Sequence, residues 1–93
     1  MANTLEELQP GTPVFVGDTH VADVRAVYGP RGAHSAELLV VHWLDRHEDV
    51  ALPVLQVELV DEVGVHLMNS DVHSYAALPP FEAARYPTVV PLS

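Results

Sequence analysis

Valine sets the limits on what this chain can become. Sixteen of its 93 residues are Val, Ile and Lys are absent, and the valines fall in short runs broken by Gly, Pro and Asp. A β-branched side chain is stiff at χ1, fits a helix poorly and packs well on a pleated surface. The runs therefore read as strands over residues 13–16, 20–28, 37–44, 50–52, 57–60 and 63–68. Gly17-Asp18, Gly29-Pro30-Arg31-Gly32, the polar stretch 45–49 and Asp61-Glu62 supply the turns between them. Pro53-Val54-Leu55-Gln56 reads as a single helical or 3₁₀ turn with Pro at its first position. Short strands with closely spaced turn signals specify an all-β sandwich or barrel.

Alternation assigns faces to these strands. In the second, Ala22, Val24, Ala26 and Tyr28 share one side and Asp23 and Arg25 the other, a strand with one wet face. The third is apolar on both sides, with Leu38 and Val40 opposing Leu39, Val41 and Trp43. Such a strand needs a second cover, from this chain or from another copy of it. Helix signals are few. Thr4 and Glu7 form a capping box ahead of Pro10-Gly11, and Ser70-Asp71 caps a short turn running to Leu78 before Pro79-Pro80. From residue 79 to 93 the prolines recur and exclude a central strand, so this stretch reads as an extended tail to a domain over residues 1–78.

The charge excludes several classes of partner. Thirteen acids against four arginines leave a net charge of −9, and Arg25, Arg31, Arg46 and Arg85 stand singly. Nucleic-acid binding depends on basic groups neutralising phosphates, so DNA, RNA and anionic membrane surfaces are all disfavoured. The field attracts cations and basic proteins instead. Zero cysteine removes disulfides, thiolate nucleophiles and Cys-ligated zinc. The longest apolar run, Leu38 to Val41, is far short of the ~20 residues of a membrane span, and acids stand where a secretory signal carries basic residues. A cytoplasmic location is the expectation.

Between Gly11 and Met68 the pattern resembles the PRC-barrel family. The residues that carry the likeness begin with the opening Gly11-Thr12-Pro13-Val14-Phe15-Val16 and the turn and strand Gly17-Asp18-Thr19-His20-Val21-Ala22-Asp23-Val24. They continue with the aliphatic strand Leu38-Leu39-Val40-Val41-His42-Trp43 and the segment Leu52-Pro53-Val54-Leu55-Gln56-Val57, then Val63-Gly64-Val65-His66-Leu67. Thr19 and Ala22 stand where the family carries glycines. The resemblance implies a small antiparallel β-barrel of about six strands that serves as a protein-interaction module. Relatives form the cytoplasmic part of a photosynthetic reaction-centre subunit and the C-terminal domain of a ribosome-maturation factor. It implies no catalytic residue and no cofactor.

Chemistry-bearing clusters are sparse. His42, Asp45, His47 and Glu48 carry imidazole and carboxylate groups of the type that bind zinc, which makes a metal- or small-ligand-binding module the alternative function. A charged connection between strands explains the same residues without a metal. His66, Asp71 and His73 form a second group, read as a capped turn beside exposed side chains, and His20 beside Asp18 and Asp23 reads the same way. Ser35, Ser70, Ser74 and Ser93 show no nucleophile elbow or triad order, so no enzyme is expected. The candidate interface residues are Trp43, Phe81, Tyr86, Val89 and Val90. A core of this size is marginal by itself, so the expectation is a homodimer in which the tail packs on a neighbouring barrel or across its own.

Overall fold

A computed structural model describes residues 5, 8–32, 35–75 and 77–92, with the side chain of Ala83 left aside. Its seven strands are β1 (Pro13–Val16), β2 (Thr19–Pro30), β3 (Leu38–Trp43), β4 (Glu48–Pro53), β5 (Val57–Val60), β6 (Val65–Leu67) and β7 (Val89–Pro91). Three short 3₁₀ turns, Val54–Gln56, Val72–Tyr75 and Ala83–Arg85, connect them. The expected capping box lies outside the described residues, as does Ala76 of the later turn.

One mixed sheet holds all seven strands in the order β4-β3-β2-β1-β6-β5, with β7 added beside β2. The β1–β6 pairing is parallel and the others antiparallel. The sheet is not closed among the described residues, because β4 and β5 end its path without pairing to each other. The all-β reading thus stands, with a seventh strand and a parallel junction that the sequence pattern did not announce.

Valine places the core. Val14, Val24, Val41, Val50 and Val65 are completely buried in one cluster with Leu39, Leu52, Trp43 and Tyr75. That cluster draws on β1, β2, β3, β4 and β6 together with the turn Val72–Tyr75. Asp71 begins this turn, as expected, by accepting the His73 amide at 3.0 Å, and the Tyr75 hydroxyl accepts the Asn69 amide at 2.9 Å.

The facial assignment of β2 requires a correction. The ladder to β3 runs Val24↔Val41 and then Ala26↔Val40, so Arg25 is an extra residue in a β-bulge. A bulge shifts the alternation by one. Beyond it Val27 and Gly29 are buried, while Ala26 and Tyr28 become half-buried on the opposite face. The face of β2 that enters the core therefore changes over half-way along the strand.

The second cover that β3 requires comes from its own chain. Leu38 and Val40 are buried outside the main core cluster. On the Tyr28 side the tail supplies Phe81, 5.2 Å from Tyr28 between ring centroids and stacked on Tyr86 at 5.7 Å. The tail first seals β4, where Ala51 donates to Pro79 O at 3.0 Å and Phe81 donates to Asp49 O at 2.9 Å. It then pairs with β2 through Tyr28↔Pro91, Gly29↔Val90 and Pro30↔Val89. Gly29 permits that closure, since a Cβ there would strike the Ser35 carbonyl and come within 3.0 Å of Leu92. Proline did keep the tail out of the sheet's centre, but Val89–Pro91 still joins it as a strand.

Candidate functional site

The histidine-rich connection folds as a hairpin. β3 and β4 are joined through Leu44, Asp45, Arg46 and His47, with the His47 amide donating to Trp43 O at 2.9 Å. His47 has φ of +53°, the left-handed conformation that closes this loop. His42 and Asp49 stand directly opposite across the ladder, and their side chains meet at 3.0 Å. Arg25 adds a longer contact to Asp49 at 3.7 Å. Glu48 is taken by Arg46, whose Nη2 lies 2.6 Å from its carboxylate and whose Nη1 donates to Leu78 O at 2.7 Å. His42 and Glu48 are thus engaged with separate partners, His47 contributes its backbone to the turn, and Arg46 ties this loop to Leu78 just ahead of the tail. Among the described residues no three His, Cys, Asp or Glu side chains are grouped to hold a metal ion.

A second set of histidines lies on the outer face of β1 and β6. Phe15 lies between His20 at 5.6 Å and His66 at 5.4 Å, the latter ring stacked on it. Each imidazole meets an aspartate, His20 with Asp23 at 2.7 Å and His66 with Asp61 at 3.0 Å. Asp61 also accepts the Val63 and Gly64 amides, so its carboxylate organises the β5–β6 turn. The Gly64 amide first, and then the His66 ring, hold the Asp61 carboxyl below its ordinary value. Among the described residues no polar or charged side chain is buried.

The interface candidates divide. Trp43 is 3% exposed and packs against Tyr75, so in this chain it is a core residue. Phe81, Tyr86, Val89 and Val90 lie on the parent sheet and are half-buried there. The tail therefore covers its own domain, leaving Tyr86 and Val89 partly open to one side.

A groove of about 430 Å³ lies beside the tail. Ala36, Glu37 and Leu38 form one wall, Pro53, Val54 and Leu55 a second, and Tyr86, Thr88 and Val89 a third. Its walls are tied together, since Val54 donates to Glu37 O at 3.2 Å and Arg31 donates to Thr88 O at 3.2 Å. Leu55 stands on its rim, 82% exposed, in a turn with no buried residue. Among the described residues the groove is lined by no histidine and by one carboxylate, Glu37. Sequence reading placed the Pro53 turn but missed the groove, because its third wall comes from residues far along the chain.

The free edge of β5 is a weaker site. Its strand has four residues, a register shift between Val57 and Leu59, and an exposed Glu58. Short length, bulges and charge are the devices by which natural sheets discourage edge pairing.

No protein-family model, curated protein or solved structure matches this chain. Among the described residues no helix is long and apolar enough to cross a membrane.

Proposed function

We propose that this chain is a non-catalytic protein-interaction module of the PRC-barrel kind that pairs with a second copy of itself. The observation that carries the reading is Leu55, a large apolar side chain held almost entirely in solvent on the rim of an apolar groove. Leu55 buries nothing within its own turn, and an exposed apolar side chain continuous with an apolar groove is the kind of surface that marks interaction sites. The PRC-barrel resemblance points the same way. The tail supports the pairing indirectly: by covering the second face of β3 it forms one wall of an apolar groove that stays open, and Leu59, Val63 and Met68 on the β5–β6 side are exposed as well.

Sedimentation equilibrium tests the proposal. A monomer–dimer equilibrium with a midpoint near or below ~0.1 mM is expected, since a few buried apolar side chains at ~1.5–3 kcal/mol each exceed the cost of association by only a modest margin. A chain that remains monomeric at that concentration overturns it.

A further inference from the structure

We infer that two copies pair about a two-fold axis, with Leu55 of each inserted into the groove of the other and Arg31 of each facing Glu37 of the other. The inference rests on the self-association just proposed and specifies its geometry. A two-fold interface is isologous, so one patch has to contain both a feature and its complement. This patch does. Leu55 is the projecting group, and the space enclosed by Leu38, Val54, Tyr86 and Val89 is the recess.

Charge selects a second copy over other occupants. Three of the four arginines are paired within the chain: Arg25 contacts Asp49, Arg46 contacts Glu48 and Arg85 contacts Glu82. Arg31 has no side-chain acceptor among the described residues, and it lies at the groove end through its backbone bond to Thr88. Glu37, across the same groove, has no side-chain partner among the described residues either. In a chain of net charge −9, this end carries among the described residues one arginine and one glutamate without a side-chain partner, and Arg85 there is balanced by Glu82. Two copies can therefore meet here without opposing like charges, and the two-fold axis brings each free group to its opposite. A strongly basic or acidic partner would satisfy only one of the two.

The remaining negative charge makes a further demand. The two bodies repel outside the contact, and salt shortens the reach of that repulsion from ~30 Å at 0.01 M to ~8 Å at 0.15 M ionic strength. Association should therefore tighten as salt rises over this range, the reverse of a contact held by net opposite charges.

The test combines three measurements on the full chain. The native sequence has no cysteine, so a Leu55→Cys chain can be mixed with a separately tagged Thr88→Cys chain under mild oxidation. The expected product is the mixed disulfide between differently tagged chains. Leu55→Asp should weaken the dimer by about tenfold or more in sedimentation, with the monomer's circular dichroism unchanged. Arg31→Glu and Glu37→Arg should each weaken it by up to about fivefold, and the double swap in one chain should restore it. A dimer that forms no mixed disulfide and keeps its affinity in Leu55→Asp overturns this arrangement while leaving self-association intact. A native chain that never dimerises overturns both.

Discussion

Phe81→Ala isolates the contribution of the tail to the fold. The Phe81 amide bond to Asp49 O belongs to the backbone and survives the change, so only the ring is lost. That ring is half-buried, 5.2 Å from Tyr28 and 5.7 Å from Tyr86. Removing a fully buried Phe costs about 3–5 kcal/mol. Half of that is about 2 kcal/mol, and it already includes the two ring pairs at ~0.5–1.5 kcal/mol each. For a domain of this size ~2 kcal/mol corresponds to a fall in Tm of about 8–16 °C. With a urea slope near ~1 kcal/mol/M it also lowers the midpoint by about 2 M. Urea unfolding followed by the fluorescence of Trp43 is the assay, because this single tryptophan lies in the main core and not under the tail. A ring that merely decorates the surface would leave the midpoint unchanged. A loss under about 0.5 kcal/mol would refute the claim that the tail is the second cover of β3. So would a Trp43 transition unmoved while tail signals melt early.

Three further outcomes follow from single residues. Gly29→Ala places a methyl group against the Ser35 carbonyl and Leu92, and should cost about 1–3 kcal/mol in urea unfolding. His47→Asn keeps the left-handed turn with a residue better suited to it, and should raise the thermal midpoint by a degree or more while leaving dimerisation unchanged. Asp61 has its folded pKa held below the ordinary 3.8, so its contribution is present above that value and is lost as pH falls through the depressed folded value. Asp61→Asn should accordingly destabilise the chain near neutral pH, with the gap to the native chain closing under acid; a gap of constant size from neutral pH to pH ~2 would contradict this.

The strands were legible because valine and turn residues mark them locally. β5 falls on the residues the pattern indicates, and the Pro53 turn forms one residue on, with Pro53 itself extended as the N-cap at the end of β4 and Val54 its first helical residue. What escaped the sequence is non-local. The bulge at Arg25 depends on how β2 meets β3, and nothing in Val24-Arg25-Ala26 itself signals a skipped register. β7 was hidden by its prolines, which are tolerated because it is a short addition beside one end of β2. The cluster at 42–49 looked like a ligand set because spacing cannot show that His42 faces Asp49 across a hairpin while Arg46 claims Glu48. Leu55 drew no notice alone, since its meaning comes from Tyr86, Thr88 and Val89.

The seam between β2 and β7 has a kinetic side. Tyr28 has to find Pro91 across an intervening chain of about sixty residues. The loop-closure entropy of that search grows only logarithmically with length, yet it has to be met before the contact returns any free energy. The hairpins β1–β2 and β3–β4 close over far shorter spans and have no such delay. The seam should therefore zip last and open first, making residues 79–92 the earliest amides to exchange with solvent deuterium in an otherwise slowly exchanging sheet.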